Sequence, residues 1–117
     1  MTRYDFADLR AANLLRSGEW QSSEEFGAMF FAVATGGECG EALNVMKKLE
    51  RGRIDAKSRA GVYPTTATIN DLANEMADTI IYMDLWAQSI GIDLWRAVVA
   101  KFNAKSVEMG FSTKLEE

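Results

Sequence analysis

The amino-acid sequence predicts an all-α fold, a single domain spanning residues 1–117 and built as a bundle of four helices. Three observations carry that expectation. Apolar residues recur at spacings of three and four along successive stretches. Ser, Thr, Asp, Asn and Gly punctuate those stretches where helix caps and stops belong. No run alternates apolar and polar side chains as a strand would.

The elements follow in chain order. Thr2, with Asp5 three positions on, reads as the cap of a first helix from Arg3 to about Arg16, ended by Ser17-Gly18. Ser22-Ser23-Glu24-Glu25 reads as a capping box, followed by Phe26, Met29, Phe30 and Val33 at helical spacing. This second helix runs through Cys39, Leu43, Met46 and Leu49 to Arg51-Gly52. Gly36, Gly37 and Gly40 interrupt it, each costing up to ~1 kcal/mol relative to alanine, which predicts a kink or the close approach of another helix. Residues 52–68 hold Arg53, Lys57, Arg59 and the sole proline, Pro64, and read as a long mobile connection. Asn70 or Thr68 caps a third helix to about Ser89. Gly91 is then a stop and Asp93 a fresh cap for a fourth helix, Leu94 to Met109, ended by Gly110. Trp95, Val98, Val99 and Phe102 form its apolar stripe, with Lys101, Lys105 and Glu108 on the polar side.

Composition removes several chemistries. The 117 residues hold one cysteine, Cys39, and no histidine, which excludes an internal disulfide, a cysteine-rich zinc site, Ser-His-Asp and Cys-His catalysis and imidazole-metal ligation. A net charge of −4 disfavours nonspecific binding to nucleic acid or anionic membrane. The opening Met-Thr-Arg-Tyr-Asp-Phe has no apolar signal core, and no apolar run approaches the ~18 residues of a membrane span. A soluble cytoplasmic protein is expected.

Two acidic pairs break the amphipathic pattern. At ~100° per residue, Glu38 projects with Ala42, Val45 and Leu49, while Asn44, Lys47 and Arg51 take the wet side. On the third helix Glu75 and Asp78 point with Tyr82, Leu85 and Trp86, whereas Asp84 projects toward Ala73 and Ala77. Each pair, Glu38/Glu41 and Glu75/Asp78, has i, i+3 spacing, so like charges share one side of a helix and repel. A divalent cation relieves that repulsion, because carboxylate oxygens are the ligands Mg²⁺ prefers. A lone Glu-x-x-Glu is ordinarily a solvated face, and buried ion pairs with Lys48 or Lys101 are the structural alternative. Two facing pairs in apolar settings favour the metal, and the small Gly37, Cys39 and Gly40 leave room beside it.

At these residues the chain resembles the MazG-like nucleotide pyrophosphohydrolases, an all-α group whose motif is Glu-x-x-Glu followed by Glu-x-x-Asp. The first block is Gly37 to Leu49, the second Asp71 to Tyr82, and the tail Gly91-Ile92-Asp93-Leu94 with Lys101-Phe102-Asn103-Ala104-Lys105-Ser106 is similar to the family's closing segment. The likeness runs from about Glu25 to Gly110 and departs from the family in the long separation of Glu41 from Glu75 and in Asn74. It implies that Glu38, Glu41, Glu75 and Asp78 bind Mg²⁺, with Mn²⁺ able to substitute. It implies that Lys101 and Asn103 contact phosphates and that Tyr82 reaches the substrate. It also implies a homodimer or a dimer of dimers, which the nearly all-round apolarity of the third helix (Leu72, Met76, Ile80, Ile81, Met83, Leu85, Trp86) independently favours.

The expected reaction is hydrolysis of a (d)NTP to (d)NMP and pyrophosphate, a nucleotide-pool cleansing activity. Glu38 or Glu41 orients or deprotonates the attacking water, and Lys101 and Lys48 steady the β and γ phosphates. Trp20, Phe30 and Trp86 are the aromatics able to stack a base; Trp20 leads because it precedes the second helix, although aromatics at helical spacing are more often core. The rivals are a relative acting on dUTP or phosphoribosyl-ATP, and a non-enzymatic helical interaction module.

Overall fold

A computed structural model describes residues 5–20, 26–58 and 67–116, with side chains described to residue 53 in the second of these stretches. Among them the chain is all-helical: α1 (Phe6–Glu19), α2 (Ala28–Ser58), α3 (Ile69–Ser89) and α4 (Leu94–Met109). No described helix is long and apolar enough to cross a membrane.

The ends of α3 and α4 follow the local chemistry expected, and those of α1 and α2 differ. Asp5, not Thr2, caps α1: its side chain accepts from the Asp8 amide at 3.0 Å while Asp8 accepts from the Asp5 amide at 3.1 Å. That reciprocal pairing satisfies two amide donors and sets the start at Phe6, and the helix continues through Ser17-Gly18 to Glu19. Thr2 and Ser22 to Glu25 lie outside the described residues. Phe26 and Gly27 precede the first turn of α2, which does not stop at Gly52 but continues to Ser58. The Arg53 guanidinium donates to both carboxylate oxygens of Glu50 one turn back, an i, i+3 support across that glycine. The first part of the expected 52–68 connection is therefore helix, and residues 59–66 lie outside the described residues. Thr68, rather than Asn70, caps α3, its hydroxyl accepting from the Asp71 amide at 3.2 Å while Asp71 accepts from the Thr68 amide at 2.8 Å. Gly91 and Gly110 adopt left-handed φ of 75° and 70° at the ends of α3 and α4, where a side chain would be strained. Asp93 caps α4 by accepting from the Arg96 amide at 3.1 Å.

The chain divides into two compact units, residues 1–28 with 84–117, and residues 29–83. In the first, Phe6 of α1 stacks on Trp95 of α4 at 5.7 Å between ring centroids. Val99 and Ala87 are buried, and Val98 and Trp95 are half-buried, while Phe102, at the edge of the expected stripe, is exposed. Asp84, projected beside Ala73 and Ala77, is instead fully buried at 1 % exposure, whereas those alanines are exposed. It accepts from Arg10 Nε at 3.1 Å and Asn13 Nδ2 at 2.9 Å, and Arg10 also donates to the Ile92 carbonyl at 2.9 Å. Asn103 pins the tail reciprocally, donating to the Leu115 carbonyl at 2.9 Å and accepting from its amide at 2.8 Å.

In the second unit, the face of α2 that carries Glu38, Ala42, Val45 and Leu49 is half-buried, and Asn44, Lys47 and Arg51 are exposed, as the periodicity requires. Gly36, Gly37 and Gly40 lie inside continuous helix with no atom within 4 Å of where a Cβ would stand, so no other described helix approaches there. On α3, Leu72, Ile81, Met83 and Leu85 are half-buried, while Met76, Ile80 and Trp86 are exposed.

Candidate metal centre

Three of the four expected carboxylates converge. Glu38 and Glu41 stand one turn apart on α2 and Glu75 on α3, and one oxygen from each lies within 4.8 Å of the others. Helical periodicity puts Glu38 and Glu41 on one side of α2, and Glu75 projects from the half-buried side of α3 that also carries Leu72 and Thr79. Thr79 returns its hydroxyl to the Glu75 carbonyl at 2.9 Å, so its side chain does not compete for the carboxylate. Asp78 is exposed and outside the converging trio, yet its charge is among the influences acting on Glu38.

The electrostatics show how costly the trio is without a counter-charge. Burial first, then the negative charge of Glu41, raises the Glu38 carboxyl above the ordinary carboxylate range. Glu75 is pushed up to about 7, mainly through hydrogen bonding with Glu41 and then by burial and the Glu41 charge. A hydrogen bond between two carboxyl groups needs a proton between them, so below that value a shared proton partly relieves the repulsion. One oxygen each of Glu38 and Glu75 (Oε2) is shut off from solvent and accepts no hydrogen bond among the described residues. Such orphaned anionic oxygens fit a hard cation, which uses oxygen ligands and leaves positions for water and phosphate. Lys48 forms no ion pair with these carboxylates among the described residues.

Lys48 lines a cleft of about 250 Å³ with Val45, Ala67, Asp71 and Glu75. The cleft runs from Glu75 to the capped first turn of α3 and places Lys48 in its lining with Glu75. Asp71 was singled out in the sequence only within the motif block; its role as both cap and cleft wall depends on where α2 passes the start of α3. Tyr82 is half-buried on α3. The remaining expected contacts belong to the other unit: Lys101 is exposed on α4, Asn103 is engaged with Leu115, and Trp20 is 68 % exposed at the C-cap of α1. Phe30 meets Phe31 edge-on at 5.6 Å and Trp86 is 37 % exposed.

Comparison of the chain with protein-family models, with curated proteins and with solved structures finds no match in any of the three. The likeness to the MazG-like group accordingly rests on the sequence blocks themselves.

Proposed function

We propose that the protein is a divalent-cation-dependent hydrolase of the MazG-like kind that cleaves a nucleoside triphosphate to the monophosphate and pyrophosphate. The observation that carries the reading is the convergence of Glu38, Glu41 and Glu75 from two helices, with two of their oxygens orphaned. Glu38, Glu41 and Glu75 hold the cation, Mg²⁺ or Mn²⁺ in its place, and Asp78 on the next turn of α3 completes the negative rim. A cation held there would supply charge neutralisation to the triphosphate and acidify a nearby water. Glu41, the exposed member of the trio, or Glu38 would orient a water toward the α-phosphorus and take its proton. Lys48 in the cleft offers a positive charge to the phosphates beside Glu75. Tyr82, on α3 in the same unit, retains the substrate role that the resemblance suggests.

The test is anion-exchange analysis of products after incubation with each common NTP and dNTP, with Mg²⁺ and with EDTA. Monophosphate plus pyrophosphate, lost in EDTA, is the expected result and ranks the bases, dUTP among them. Diphosphate plus phosphate would overturn attack at the α-phosphorus. An absence of turnover across nucleotides, phosphoribosyl-ATP included, would turn the assignment toward a helical interaction module.

A further inference from the structure

The cleft beside Glu75 carries more than a phosphate needs. Val45 and Lys48 line it from α2, Ala67 from the residues before α3, and Asp71 and Glu75 from α3 itself, all within residues 29–83. Lys48 is exposed, forms no ion pair among the described residues, and supplies the positive charge a phosphate takes up. The lining sets two carboxylates against that one ammonium, so beyond the reach of Lys48 it disfavours a second anion. What remains is a half-buried apolar pair, Val45 and Ala67, with the acceptor Asp71. An apolar wall with one or two placed polar groups is the lining a small flat ligand requires.

Asp71 is held in place on one side only. Its Oδ2 accepts from the Thr68 amide at 2.8 Å and from the Thr68 hydroxyl at 3.0 Å, which fixes the carboxylate. Its Oδ1 accepts no hydrogen bond among the described residues, and the residue is exposed, so an acceptor is left for a ligand. Asp71 precedes Glu75 by four residues, about 6 Å along the helix, comparable with the span of the one sugar that separates a base from its α-phosphate. Glu75 belongs to both the carboxylate trio and the cleft, so a nucleotide held by its phosphates at the trio has its nucleoside beside this lining. The cleft of about 250 Å³ is smaller than the ~300–1,000 Å³ that enclose a whole drug-sized ligand, and suits one ring system rather than an entire nucleotide.

We propose that this cleft seats the base of the nucleotide and that Asp71 selects bases bearing an exocyclic amino group, so that cytosine is taken over uracil. The proposal rests on the reading of the carboxylate trio as a cation site that holds the phosphates. Cytosine offers N4–H to the carboxylate, and adenine and guanine also carry amino donors. Uracil places O4 where cytosine has its amine, an acceptor facing an anion, and its one ring N–H is flanked on both sides by carbonyl oxygens. Because Asp71 is exposed, the discrimination is about tenfold rather than the far larger ratios of an enclosed polar site.

NMR titration of the full chain with CMP and with UMP, in the presence of Mg²⁺, tests this without turnover. The expected result is a dissociation constant about tenfold lower for CMP, with shifts at the methyl groups of Val45 and Ala67. In Asp71→Asn the Thr68 amide still demands an oxygen, so the side-chain NH₂ takes the place of Oδ1 and meets the cytosine amine donor against donor. The preference for CMP should then vanish or reverse. Equal affinities in the wild type, no binding of either nucleotide, methyl shifts confined to other residues, or a CMP preference that survives in Asp71→Asn would overturn the proposal. Should the variant not fold, the wild-type affinity ratio and the location of the methyl shifts decide alone. A preference for CMP over dCMP without one for CMP over UMP would give Asp71 to the sugar and overturn the base reading. Turnover of CTP and UTP, measured separately, keeps the two claims apart: hydrolysis with equal binding of CMP and UMP retains the hydrolase and removes the base site, whereas CMP-selective binding without hydrolysis of any nucleotide does the reverse.

Discussion

Asp84 and Glu41 show two fates of a carboxylate on a helix face. Asp84 is buried and fully engaged by Arg10 and Asn13, so its charge is compensated inside the fold. Replacing it with alanine removes the acceptor of Arg10 Nε and of Asn13 Nδ2 and should cost about 3 kcal/mol, read as a lower urea midpoint at unchanged slope. A midpoint shift near zero would mean that the network is dispensable. Glu41 is exposed and faces two other carboxylates rather than a cation. Glu41→Gln should abolish turnover and leave the helical circular dichroism intact; retained turnover would remove Glu41 from the mechanism. A helical wheel distinguishes neither case, because it reports direction and not what stands there. The wheel located Glu38 and Glu75 on half-buried faces, but it paired Asp84 with the exposed Ala73 and Ala77.

At the scale of the element, caps and stops were legible because they are local hydrogen-bond chemistry. Asp93, Gly91 and Gly110 act where their residue types indicate. The misplacements are also local competitions: Asp5 and Asp8 form a reciprocal pair that sets the start of α1, and the Glu50–Arg53 pair carries α2 past Gly52. Asp71 has more than one duty, since it pairs with the Thr68 cap and also walls the cleft beside Lys48 and Glu75. Thr68→Ala should cost about 1 kcal/mol and fray the first turn of α3, measured as faster amide exchange there than in the middle of the helix. If Asp71 shapes the cleft through that cap, the same variant raises KM more than it lowers kcat.

For the whole molecule, the carboxylate trio couples stability to pH. Glu75 holds its proton up to about 7, whereas the unfolded chain releases it near 4.5. Between those values the folded state binds more protons than the unfolded one, so this site's contribution to stability falls as pH rises and is lowest above 7. Melting in EDTA should therefore show a downward contribution across that window, and Glu75→Gln should remove it. A rising contribution would contradict the crowding of the trio. Under the proposed function Mg²⁺ would compete with the proton for the same oxygens, so its stabilisation should be several degrees at pH 8 and nearly absent at pH 5. Equal stabilisation at both, or equal stabilisation by K⁺ at matched ionic strength, would argue against a cation site at Glu75.

The sequence by itself determined the all-helical class, the ends of α3 and α4 and the anomaly of Glu38 and Glu75 on apolar faces, because periodicity, capping and charge repulsion act within a few residues of one another. Only the tertiary structure decided that Glu38 and Glu41 meet Glu75 while Asp78 stands outside the trio, that Lys48 and Asp71 share a cleft, and that Asp84 is buried against α1. Those outcomes depend on the register at which one helix passes another, which is set by packing between residues far apart in the chain and leaves no mark in local spacing.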